Sequence, residues 1–171
     1  MGLSNETFIH NAVSQAASSG HIFPEMAACE AALESAKQGI FGGSSLALRY
    51  NNLFGTKQHA VPVFSTVYLP TQEEVTPEES KKLKNAVFVA ASRNGKNIYT
   101  YDAPWIVYPD WAAAFGDRMA TLRRLQNTYP HYKAALNATD PITFVNQVSL
   151  TWSTGQNRAD SVIKIYHQYI K

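Results

Sequence analysis

The chain has 171 residues, of which 45% are apolar, enough for one domain with its own core and no staples. Its net charge of +2 comes without a Lys/Arg stripe, which excludes the electrostatic footprint of a nucleic-acid binder and mildly suits an anionic polymer. The single cysteine, Cys29, rules out an intramolecular disulfide, and its Ala-rich setting points to a buried thiol, not a nucleophile.

The N-terminal stretch lacks a basic n-region and a long apolar run, so no secretory signal is expected. No segment reaches the roughly 20 apolar residues of a membrane-spanning helix. The first predicted element is a helix over Ser4 to Ser19, with Phe8, Ile9, Ala12, Val13 and Ala16 at helical spacing and Gly20 as its stop. Ile22 and Phe23 read as a buried extended approach to a second helix, Pro24 to about Ser35. Pro24 suits its first turn, and Glu25 suits the dipole there. The many alanines of this helix allow close neighbours, so it is expected to be central. Gly39 and the Gly42-Gly43 pair then break the pattern, and Ser44 or Ser45 caps a short helix over Leu46 to Tyr50.

From about Ala60 the character changes. VPVFSTVYL reads as a strand, PTQEEVTPEESKKLKN as a polar loop with one helical turn, and AVFVAAS and NIYTYD as strands joined at Asn94-Gly95. A β lobe over about 60–102 follows. Helix resumes from Tyr108 to about Asn127, with short helices over His131 to Leu136 and from Asp140-Pro141 to Trp152. A loop over Ser153 to Arg158 and a last helix, Ala159 to Ile170, complete an α+β pattern within a single domain, 1–171.

Of the thirteen acids, Glu34 differs from the rest. It sits among alanines and Leu33 before a glycine turn, where desolvation would suit a general acid; an exposed helix-end glutamate is the bland alternative. The five histidines show no metal-ligand spacing, and no GxSxG, phosphate loop or dinucleotide fingerprint occurs, so neither metal nor cofactor is expected. Tyr50, Tyr99, Tyr101, Tyr108 and Trp152 are core residues by default, or sugar-stacking faces if they line a groove.

ALES (Ala32 to Ser35), the glycine turn, SSLALRYNNLFGTK, LPTQEEV and TYD together resemble the glucosaminidase domain family, glycoside hydrolase family 73, over nearly the whole chain. The resemblance implies a lysozyme-like fold, with a mainly helical lobe and a small antiparallel β lobe across a substrate cleft. It implies bacterial peptidoglycan as substrate, cut at the β-1,4 bond after N-acetylglucosamine or, in some relatives, after N-acetylmuramic acid. The ALES glutamate, Glu34, becomes the general acid. Thr71-Gln72-Glu73 best matches the motif of the second acid, so Glu73 is preferred to Glu74. Glu73 would activate water, with inversion at a carboxylate separation of roughly 6.5–9.5 Å, or support attack by the substrate's N-acetyl group. Its loop position would make it mobile. Tyr50, Asn51, Asn52, Trp152 and Arg158 are expected to line the sugar sites, with Leu53 and Phe54 packed beneath. Arg158 stands where relatives carry an active-site tyrosine, so that role passes to Trp152 or Tyr50, or the sugar is handled differently. A monomer without nucleic-acid partners is expected. It would be made in the cytoplasm and reach the wall through holin-type lysis, as a phage endolysin, or by injection as an effector.

Overall fold

In a computed structural model the described residues are 3–59, 64–152 and 157–171. They form two compact units, one over 56–107 and one joining 1–55 to 108–171. Eight helices and three strands are described: three helices precede the first strand, one short helix lies between the first and second strands, and four helices follow the third strand.

The helical unit is built on α2 (Pro24–Ser35), which packs against α1 (Asn5–Ser18), α7 (Pro141–Trp152) and α8 (Arg158–Tyr169). Met26, Ala27, Ala28, Cys29, Ala31 and Ala32 are fully buried, as befits a helix that is apolar around most of its circumference. Burial pushes the Cys29 thiol up to about 12, which makes it inert at neutral pH. Ser4 caps α1 by accepting from the Thr7 N–H. Against expectation Ile22 is exposed, while Phe23 rests partly buried on Phe144.

The turn after α2 is anchored rather than loose. Buried Ser35 donates to the Ala31 carbonyl at 2.6 Å and accepts from the Gly42 N–H at 2.9 Å. Asn5 of α1 donates to the Gly39 carbonyl and accepts from the Phe41 N–H, both at 3.0 Å. Gly42 is required twice over: its φ is +69°, and a Cβ there would lie 2.7 Å from the Phe8 ring. Ser44, not Ser45, caps α3 (Ser45–Tyr50), accepting from the Ala47 N–H. The remaining helices of this unit are α5 (Trp111–Leu125), capped by Asp110, and α6 (Pro130–Leu136). The Asp140 carboxylate accepts from Thr143 N–H at the start of α7, as the Asp-Pro pair implied.

The second unit holds an antiparallel sheet of order β1-β3-β2, from β1 (Thr66–Val75), β2 (Val87–Ala91) and β3 (Asn97–Ile106), with α4 (Pro77–Ser80) between β1 and β2. Asn94 and Gly95 both have positive φ, as the hairpin dipeptide requires. Two boundaries differ from the sequence reading. β3 runs on to Ile106, so the unit extends past 102. PTQEEV, read as loop, is the second half of β1, with Glu73 opposite Tyr99. Its alternate residues Pro70, Gln72 and Glu74 face solvent, and Pro70 is tolerated because β1 is an edge strand. The start of the predicted strand, through Val63, and residues 153–156 of the predicted loop lie outside the described residues.

Candidate active site

Glu34 lies in the last turn of α2, one turn beyond Glu30 on the same helical face. Its side chain is 24% exposed, and its Oε1 accepts from Arg158 Nε at 2.7 Å. Arg158 is the first residue of α8, and its side chain is only 3% exposed. It reaches inward to the fully buried Glu30, donating from Nη1 to Oε1 at 3.0 Å, and to Ser149 Oγ on α7 at 2.9 Å.

Glu30 takes a second guanidinium from α5, where Arg118 Nη2 donates to Oε1 at 2.5 Å. Burial alone would raise Glu30, but the charges of Arg118 and Arg158 outweigh it and hold the carboxyl below its ordinary value. The two carboxylates hold the Arg158 guanidinium protonated despite its burial. Arg118 is sandwiched between aromatic faces, with its guanidinium carbon 3.9 Å from the Trp152 ring centre and 4.7 Å from that of Phe54. Two acids and two arginines therefore form one buried, charge-balanced network, and Glu34 is the member that reaches solvent. Burial next to it pulls His21 down to about 4, against the attraction of Glu30 and aided by Arg118 and Arg123.

The other residues named from sequence differ in burial and partners. Trp152 is half-buried on Arg118. Leu53 and Phe54 are buried as expected. Asn51 ends α3 at φ +53°, and its amide donates to the carbonyls of Tyr108 and Pro109 at 3.1 Å each, so it ties the chain together. Tyr50 is half-buried and its carbonyl accepts from the Tyr108 N–H. Asn52 and Arg158 are buried, at 1% and 5% exposure, so both face protein here instead of an open sugar site. Tyr101 and Tyr108 are buried as well.

In the sheet unit, Glu73 sits on a regular strand and not in a loop. Its Oε1 accepts from Lys57 Nζ, and its Oε2 accepts from the Tyr101 hydroxyl at 2.9 Å. Lys57 also donates to Tyr101 Oη at 3.0 Å and lies over the rings of Tyr101 and Trp105. Burial would lower Lys57, but its bonds to Glu73 and Tyr101 win and raise it. Glu74 points to the opposite, exposed face and accepts from Ser92 Oγ at 2.5 Å. Among the described residues no cluster of three or more His, Cys, Asp or Glu could hold a metal, and no helix is long and apolar enough to cross a membrane.

Sequence reasoning left Glu30, Arg118 and Lys57 without roles. Glu30 carried one usable signal, a charge four residues before Glu34 inside an otherwise apolar helix.

A partly exposed carboxylate held by a guanidinium, on a helical unit joined in sequence to a small antiparallel sheet, is an arrangement suited to acid catalysis. The family profile described as "Glucosaminidase: Mannosyl-glycoprotein endo-beta-N-acetylglucosaminidase" matches residues 10–171. The chain belongs to this glucosaminidase family, glycoside hydrolase family 73. Among solved structures it is similar to the catalytic domain of the autolysin Auto from Listeria monocytogenes, with 20% identity, a TM-score of 0.68, and coverage of 96% of this chain and 84% of that one. The C-terminally truncated glycoside hydrolase domain of FlgJ from Salmonella typhimurium gives 19% identity, a TM-score of 0.62, and coverage of 96% and 97%. A peptidoglycan hydrolase mutant from Sphingomonas sp. A1 gives 18%, 0.60, and 94% and 92%. These likenesses define the fold as lysozyme-like α+β. Comparison with curated protein sequences returned no match.

Proposed function

We propose that the chain hydrolyses β-1,4 glycosidic bonds of bacterial peptidoglycan as an endo-β-N-acetylglucosaminidase, acting as a monomer during bacterial lysis in the manner of a phage endolysin. The observation that carries this reading is Glu34, the solvent-reaching member of a buried ion network in a glucosaminidase-family chain. The choice of bond follows the family's description, and the choice of peptidoglycan follows the name of the Sphingomonas relative.

In this reading Glu34 protonates the glycosidic oxygen as the C–O bond breaks, and the electron pair leaves with that oxygen. Glu73 acts as base toward the attacking water. Its position on the half-buried face of β1, bonded by Lys57 and Tyr101, supports it over the solvent-facing Glu74. Tyr50, Asn51 and Trp152 contribute to sugar binding, while Asn52 and Arg158 act from beneath the surface.

Glu34→Gln should keep the fold and lose release of reducing ends from purified walls by about 10²- to 10⁴-fold. Full activity in a folded Glu34→Gln protein sinks the assignment. Glu73→Gln should be impaired less severely, and a loss at Glu74→Gln with none at Glu73→Gln would reverse that choice. Mass spectrometry of the digested wall decides the bond: reduced N-acetylglucosamine ends support the proposal, and reduced N-acetylmuramic ends replace it with a muramidase. Wall binding without any release of ends would make it an idle binding module. For the lytic context, cells expressing the chain should lyse only when the inner membrane is permeabilised.

A further inference from the structure

We propose that Arg158 is the positioning residue of the acid, dividing one guanidinium between buried Glu30 and Glu34 so that Oε2 of Glu34 is the oxygen that carries the proton to substrate. The inference rests on the reading of Glu34 as the acid.

The geometry supports it in three steps. Arg158 Nε occupies Glu34 Oε1 at 2.7 Å, and Oε2 has no hydrogen-bond partner among the described residues. The arginine cannot follow Glu34 if that side chain moves, because Nη1 is fixed at 3.0 Å from Glu30 and 2.9 Å from Ser149. Glu30 is fixed in turn by Arg118, which is held between Trp152 and Phe54. A planar fork that spans two carboxylates one helical turn apart is a task for Arg and not for Lys.

The chemical consequence is specific. When the proton leaves Oε2 for the glycosidic oxygen, the negative charge that forms on Glu34 already faces a fixed cation. The conjugate base is stabilised without rearrangement, which is the condition for electrostatic help in the transition state. The charged and titratable groups facing this pair are Glu30 on α2, Arg118 on α5 and Tyr132 on α6. No hydrogen bond from any of these to Glu34 is seen among the described residues; that contact is made by Arg158.

The experiment measures kcat and KM separately on solubilised glycan strands for Arg158→Gln and Arg158→Lys, with melting curves to verify folding. Arg158→Gln should leave KM near the parent value, because Arg158 is buried beneath the acid. It should also lower kcat by about 10- to 100-fold through loss of orientation. Arg158→Lys should lose kcat as well, because the charge survives without the fork. If Arg158→Gln does not fold, Glu30→Gln/Arg158→Gln removes one charge of each sign, keeps the network neutral and carries the same expectations. An unchanged kcat, or a loss confined to KM, in the folded Gln variant overturns the inference. Glu34→Gln is assayed in parallel: if it is inactive while the Arg158 variant is normal, only this inference fails. If it is active, the reading of Glu34 fails instead.

Discussion

The two candidate acids are each held by a cation, yet the two units hold them by different means. In the helical unit Glu34 leans on Arg158, whose side chain is 3% exposed and anchored to Glu30 and Ser149. In the sheet unit Glu73 is bonded by Lys57 with side-chain exposures of 39% and 31%, and Lys57 is a point charge on a flexible stem. In a pair of the first kind the cation has surrendered its hydration and relies on its partners. A pair of the second kind keeps part of its hydration and can exchange its partner for water. The first suits an acid that must be aimed, and the second suits a group that can adjust to an incoming water.

The largest test of that contrast is Glu30→Gln. It leaves Arg118 and Arg158 with one carboxylate fewer in a buried site, and should cost about 3–5 kcal/mol in urea unfolding. It should also loosen Arg158 and lower activity, although Glu30 touches no substrate. A cost below about 1 kcal/mol would mean that the network is solvated and that the two units do not differ in kind.

The next test uses pH. Folding holds His21 at about 4 instead of its ordinary 6.5 because the ring is buried. Below pH 6.5 the unfolded chain therefore takes up this proton first. The stability is complete above pH 6.5 and is lost as pH falls toward 4, on the order of 3 kcal/mol for this one group. Glu30 has its folded value depressed as well, so its contribution is present above its ordinary carboxylate range and is lost on further acidification. Urea midpoints at pH 7, 5 and 4 should decline accordingly, and His21→Gln should flatten the part between 6.5 and 4. An unchanged slope in that variant would place the acid sensitivity outside the buried network.

The sequence carried the frame of the helical unit and part of the candidate site. Pro24, the alanine run and the glycine turn marked α2 because each is a local signal, and Ser35 and Gly42 then fix the turn through near neighbours. The partners of Glu30 and Glu34 were not legible in this way. Arg118 is 88 residues from Glu30, and Arg158 is 124 from Glu34, so only tertiary packing, α8 on α2 and α5 on α1 and α6, brings them together. The second half of β1 was hidden for another reason. Its outward residues are polar and include Pro70, so period-2 alternation on an edge strand looked like a loop. That error also made Glu73 seem mobile, whereas the strand fixes its backbone and leaves the flexibility to Lys57.

The smallest expected effect is the one that most directly examines the sheet side. Lys57→Met removes the ammonium from Glu73 but keeps an apolar stem over Tyr101 and Trp105. Because both partners of the pair are about one-third exposed, solvent screens the lost attraction, and the unfolding free energy should change by less than about 1 kcal/mol. Tyr101 still donates to Glu73 Oε2, so the carboxylate keeps its orientation. A loss as large as that of Glu30→Gln would show that folding depends on the Lys57 pair no less than on the arginine network. The difference between an aimed acid and an adjustable one would then have to be sought in the strands and helices that carry them, and not in the cations that face them.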